Sequence, residues 1–209
     1  MGIFGAVIHA FQGGGLFMYP ILLLLVSGLA IAIERITYLR TADVEARKLW
    51  GKLIPLLNAG RIDDAEHVAS TSTSAIGRVL GFGITRLKSS STRGDVEMAI
   101  EEGLMELTPL LERRTHYIAV FANVATLLGL LGTIIGLIHG FGALSGVSAS
   151  EKQDLLSHAV SEAMNCTAFG LVTAVPFMLI HAWLQAKTDE LVDRLETASV
   201  KFLNSLGLK

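Results

Sequence analysis

Charge is absent from long stretches of this chain, and that absence decides what it can fold into. No Asp, Glu, Lys or Arg occurs from Met1 to Ile33, none from Thr115 to Ser150, and only Glu162 from Leu155 to Ala186. A helix of about 20 mostly apolar residues crosses a bilayer core, and in lipid its backbone groups must be satisfied internally. Each block is long enough. The pattern predicts an all-α membrane protein with transmembrane helices over 16–36, 116–144 and 155–186. Composition agrees, since 51% of the 209 residues are hydrophobic and the mean hydropathy is +0.54, high for a soluble domain.

The basic residues set the orientation. Twelve lie from Arg35 to Arg114, and Lys187, Arg194, Lys201 and Lys209 follow the third block, which leaves only Lys152 of the chain's 17. Lys and Arg are retained on the cytoplasmic side. The C-terminus and the 37–115 segment are therefore expected inside, and the N-terminus and the 145–154 loop facing outward. The opening MGIFGAVIHAFQGGG lacks the basic start of a cleaved signal and reads as an interfacial helix over 1–15 ending in a glycine hinge.

Between the first two spans the texture changes. DVEARKLWGKLIPLLNAGRIDDAEHVAS has helical spacing of charge and apolar residues, interrupted at Pro55 and at Asn58–Ala59–Gly60. The region reads as a cytoplasmic helical domain, without strand-like alternation. From Asp95 the helical pattern resumes and leads without an evident stop into the second span, Pro109 predicting an irregularity. The third span likewise continues as a cytoplasmic C-terminal helix over 187–209. Two long helices thus extend from the membrane into the cytoplasm.

The second span poses a chemical question. LLGLLGTIIGLIHGFG, residues 127–142, holds five glycines, each about 1 kcal/mol worse than alanine in a helix. Gly132, Gly136 and Gly140 fall four apart with Gly129 close by, a smooth stripe that allows close helix approach in lipid. Ala163, Thr167, Gly170 and Ala174 form a similar stripe on the third span. The stripes suit packing of span two on span three, packing between copies in a ring, or both.

Thr133 and Thr167 lie at similar depths, roughly 18–21 Å from the outer surface at 1.5 Å per residue. An intramembrane threonine commonly bonds its own helix, but a matched pair beside glycine stripes also suits a polar route. Glu162 costs on the order of 3 kcal/mol if charged in lipid, so it is expected to face protein or water, or to be protonated. His158 and Asn165 share its side of the helix. Five residues turn a helix by about 140°, so Glu162 and Thr167 point differently. Both line one cavity only if the helix is distorted or one of them faces a subunit seam. His139 and His158, near the outer side, are secondary candidates for proton carriage; His116 and His181 suit packing or interfacial solvation. Leu130, Leu131, Ile134 and Ile135 would keep such a cavity dry.

The sequence shows no nucleophile–base pair, phosphate-binding loop or metal-ligand spacing, so neither enzyme activity, metal nor cofactor is expected. Cys166 is the only cysteine and reads as a packing residue.

GLLGTIIGLIHGF, followed by SEAMNCTAFGLVTAVPFMLIHAW, resembles the signatures of the MotA/TolQ/ExbB proton-channel family. The match rests on the Gly-Leu-Leu-Gly-Thr core, the Glu162-x4-Thr167 spacing and Ala-Val-Pro at 174–176, with Glu34–Arg35 as a weaker sign. The three-span layout resembles the ExbB/TolQ branch, since the MotA branch would have a fourth span. The resemblance implies a ring-forming subunit, a pentamer, around an ExbD- or TolR-like single-span partner bearing an intramembrane aspartate. A TonB- or TolA-like periplasmic effector and membrane lipids complete the implied partners, and no nucleic acid is implied. Thr133, Glu162 and Thr167 would line the proton pathway of an inner-membrane motor subunit, as in TonB-dependent transport. Envelope maintenance, gliding motility and a non-conducting scaffold are the alternatives. A secondary transporter is disfavoured because no inverted repeat is visible.

Overall fold

A computed structural model of the chain describes residues 13–72, 74–89 and 92–205. The expected interfacial helix over 1–15 lies outside these residues except for its last three. Among the described residues six helices follow one another: α1 (Met18–Asn58), α2 (Ile62–Ser70), α3 (Ala75–Ser89), α4 (Arg93–Glu112), α5 (Thr115–Ala143) and α6 (Ala149–Ser205). No strand occurs among the described residues. Three helical stretches, lying within Met18–Leu57, Arg93–Ala143 and Glu151–Asn204, are long and apolar enough to cross a membrane.

The chain divides into two compact units. Met1–Ile33 and Arg114–Ala182 form the first; Glu34–Arg113 and Trp183–Lys209 form the second. In the first unit small residues, including Ala122, Ala125, Gly129, Gly132, Ala159, Ala163 and Ala174, are buried beside a few large ones, Met18, Ile21, Ile118 and Phe177. Leu23, Val26, Leu127, Ile134, Ile138, Val172 and Leu179 face outward. Lipid does not drive large aliphatic groups together, so helix association there rests on close backbone approach. Gly28 makes room for Phe177, whose ring carbon would lie 2.5 Å from any Cβ placed there. Pro20 is the third residue of α1, where the N–H it lacks would have no intrahelical acceptor.

The second unit has a conventional apolar core. Val96, Ile100, Gly103, Leu107 and Leu111 form the buried stripe of α4, and Ile76, Val79, Leu80, Gly83 and Ile84 that of α3. These helices approach closely where Gly103 faces the Val79 backbone, 3.3 Å from an added Cβ. Asp63 and Asp64 occupy the first turn of α2, where carboxylates favour the helix dipole. Helix α1 stops after Asn58. Gly60, at φ +69°, turns the chain, its N–H donating to the Leu57 carbonyl at 3.0 Å, a left-handed helix end of the kind glycine permits.

The expected single helix into the second span is two helices. The break lies not at Pro109, which sits within α4, but at Arg113 and Arg114. Arg114 is left-handed, with φ 65°, unusual for a residue with a side chain. In a continuous helix the Leu111 carbonyl would accept from Thr115. Instead it accepts from the Arg35 guanidinium of α1, which is 3% exposed and sits 4.7 Å from the Tyr38 ring centroid. Arg35 thus caps the C-terminal end of α4. Pro109 leaves the Met105 carbonyl without its usual donor; Met105 is exposed, so this is tolerated.

Candidate functional site

Helices α5 and α6 are brought together by what their side chains lack. A Cβ on Gly129 would lie 3.2 Å from the Thr167 Cα and 3.3 Å from the Gly170 Cα. On Gly132 it would overlap the Cys166 sulfur, and on Gly140 the Ala159 methyl. Gly136 is looser, at 3.4 Å from the Ala163 Cβ. A Cβ on Gly170 would meet backbone on the other side, 2.8 Å from the Ala125 carbonyl oxygen. Glycine's helix cost is offset here by contacts that no other residue permits.

This approach places the oxygen-bearing side chains. Because Gly132 faces Cys166 on an antiparallel helix, their chain neighbours Thr133 and Thr167 lie within about 3 Å of one height. Their bonding differs. The Thr167 hydroxyl donates across the interface to the Gly129 carbonyl at 2.9 Å. The Thr133 hydroxyl donates to Leu130 on its own helix at 2.6 Å. An interhelical bond of the first kind contributes about 0.6 kcal/mol on average and up to about 1.7 in bilayers; the second holds a rotamer only.

Glu162 is half-buried in the first unit, above Cys166 on the same face of α6. Its carboxylate lies against Gly15, just before α1: a Cβ on Gly15 would overlap Oε1 and fall 3.1 Å from Cδ. Glu162 and Thr167 thus turn to different neighbours within one chain. Asn165 is half-buried, while His139 and His158 are exposed. Leu130, Leu131 and Ile134 are 41–56% exposed, so in a single chain they do not screen a cavity around Thr133.

Two features escape a reading of the sequence. Gly15 was legible as a hinge, but its spatial neighbour was not. Thr173 is 1% exposed, and its hydroxyl has no hydrogen-bond partner among the described residues. It falls eleven residues after Glu162, about three helical turns, and so on the same face. The only sequence signal for it is a hydroxyl three residues before Pro176.

Residues 71–197 match the model of the MotA/TolQ/ExbB proton channel family. The chain belongs to that family. Its relatives place it in the ExbB/TolQ branch. It is 25% identical over 197 residues to an ExbB homolog of Methanothermobacter thermautotrophicus, covering 94% of this chain and 69% of the other. The Tol-Pal system protein TolQ of Haemophilus influenzae is 30% identical over 173 residues, 77% of this chain and 74% of TolQ. The biopolymer transport protein ExbB of Salmonella typhimurium is 26% identical over 153 residues, 66% of this chain and 59% of that ExbB. This ExbB/TolQ-type chain therefore carries its α5–α6 interface and Glu162 within the matched region.

Proposed function

We propose that this chain is the ring-forming subunit, a pentamer, of an inner-membrane proton channel that converts the proton motive force into mechanical work. It acts with an ExbD- or TolR-like single-span partner that brings an aspartate into the membrane. The observation that carries this reading is Glu162, the one acidic side chain in a charge-poor span, half-buried on the helix whose Thr167 makes the interhelical bond. Threonine hydroxyls do not titrate near neutrality, so Thr133 and Thr167 can only position water or a carboxylate. A single carboxylate per chain makes an incomplete relay, and a second titratable group from a partner supplies the missing step. A proton crossing 100 mV releases about 2.3 kcal/mol, which biases motion provided that leakage is prevented. Leu130, Leu131 and Ile134, exposed in one chain, would be covered in the ring.

In this reading the N-terminus and the 145–154 loop are periplasmic, and 37–115 and 187–209 are cytoplasmic. The driven process is TonB-type transport, with Tol-type envelope maintenance as its nearest relative. A non-conducting scaffold is favoured by one observation, the self-bonded Thr133 hydroxyl, and the same experiment separates the two. Glu162→Gln and Thr167→Val complexes are purified with their partner, reconstituted in vesicles and assayed for proton flux by dye quenching. Intact assembly with flux reduced about tenfold or more supports the channel. Unchanged flux in both variants overturns it, as does failure of any small aspartate-bearing single-span protein to copurify in mild detergent.

A further inference from the structure

We infer that Gly15 is a positioning residue for Glu162. This deepens the proposed function and rests on its assignment of Glu162 to the proton route. Gly15 ends the Gly13–Gly14–Gly15 run, and its carbonyl accepts the Met18 N–H at 3.3 Å, so it is tied into the first turn of α1. Its φ is +71°, a conformation that glycine adopts without strain. In that conformation the Cα hydrogen that an L side chain would replace points at the Glu162 carboxyl group. In any L-residue the Cβ would overlap Oε1 and approach Cδ at 3.1 Å and Cγ at 3.4 Å. The carboxyl end of Glu162 therefore meets a seat of bare backbone with Oε1 foremost.

The other glycines separate the two properties of this seat. Gly146 has φ +86°, yet nothing lies within 4 Å of its missing Cβ. A Cβ on Gly14 would first meet the flexible side chain of Met18. Gly15 alone among them combines a left-handed backbone with a functional oxygen in the vacant space. A side chain at this position has to turn the carboxyl group to another rotamer, and misplacement by about 1 Å can cost about a hundredfold in a proton-transfer geometry.

The test uses the full chain with its partner in membranes. Dicyclohexylcarbodiimide, which attaches to protonated carboxyl groups, is mapped onto Glu162 by mass spectrometry alongside vesicle proton flux. Gly15→Ala is expected to change the labelling rate about threefold or more and to lower flux about tenfold, while Gly146→Ala changes neither. Should Gly15→Ala fail to assemble, Gly15→Asn keeps the left-handed backbone accessible and fills the same space. Rescue supplies the sharper readout. Glu162→Asp withdraws the carboxyl group by one methylene, so adding Gly15→Ala to Glu162→Asp should cause no further loss of flux. Multiplying losses, or labelling in Gly15→Ala and Gly15→Asn equal to wild type, overturns the inference. Undiminished flux in Glu162→Gln would instead overturn the proton-route reading, while the labelling comparison still decides whether Gly15 seats the side chain.

Discussion

Gly170→Ala puts a single methyl group where the structure has no room for it. The new Cβ would lie 2.8 Å from the Ala125 carbonyl oxygen and 3.1 Å from the Gly129 Cα. Both obstacles are backbone, so no side chain can swing aside. A carbon–oxygen contact of this kind relaxes to about 3.3 Å or more, and α5 and α6 must separate by roughly 0.5 Å. Overpacking of this sort costs about 1–3 kcal/mol, and the strained Thr167–Gly129 bond adds about 0.6. The gain in helix propensity returns about 1. The net loss is about 0.6–2.6 kcal/mol, which for a chain of this size lowers Tm by about 1–10 °C. Gly136→Ala is the matched control, because its Cβ would stand 3.4 Å from the Ala163 methyl, close to ordinary contact. It should melt at or above wild type. Thermal unfolding of the full chain in mild detergent, followed by circular dichroism, compares the two. A Gly170→Ala melting temperature equal to or above that of Gly136→Ala would refute the close-approach reasoning.

Two further predictions concern the second unit. Arg35→Met removes the charged donor at the buried end of α4 and leaves the Leu111 carbonyl uncapped; a loss of about 1.5–3 kcal/mol is expected, with faster hydrogen exchange over 107–112. Arg35→Lys should recover only part of this, since an ammonium does not reproduce the planar guanidinium stacked near Tyr38. Lys88 is pushed up to about 12 by its hydrogen bonds to Asp63 and Glu66, and its bond to Asp63 in turn lowers that carboxyl group. A raised lysine contributes below its unfolded value of 10.5 and loses that contribution as pH climbs through about 12. The lowered Asp63 contributes above 3.8 and loses its share as pH falls through its depressed folded value. Amide protection in α2 should therefore decline slightly at both extremes, and Lys88→Met should flatten both limbs.

The membrane-spanning character of this chain was legible because charge cannot be hidden in lipid. The glycine stripe on span two was equally plain, because a repeat of four puts Gly132, Gly136 and Gly140 on one side of a helix. What stayed hidden was set by tertiary contact. Pro109 looks like the natural break, yet α4 absorbs it where Met105 is exposed, and the chain turns at two arginines whose sequence gives no such sign. The left-handed Arg114 accompanies a cap on α4 from Arg35, a residue remote in the chain. Glu162 and Gly15 meet for a similar reason. Helical spacing on α6 fixed which residues share a face with Glu162, but not what stands opposite it. The similar height of Thr133 and Thr167 could be counted from the loop, whereas their different bonding required knowing how closely the glycines let the helices approach.

Cys166 is the only thiol in the protein, and it is 1% exposed beneath Gly132. A thiol reagent added to the folded chain should therefore find nothing to react with. Reporter cysteines can be introduced one at a time along Leu130, Ile134 or His139 without first altering the native sequence, and any signal belongs to the introduced site.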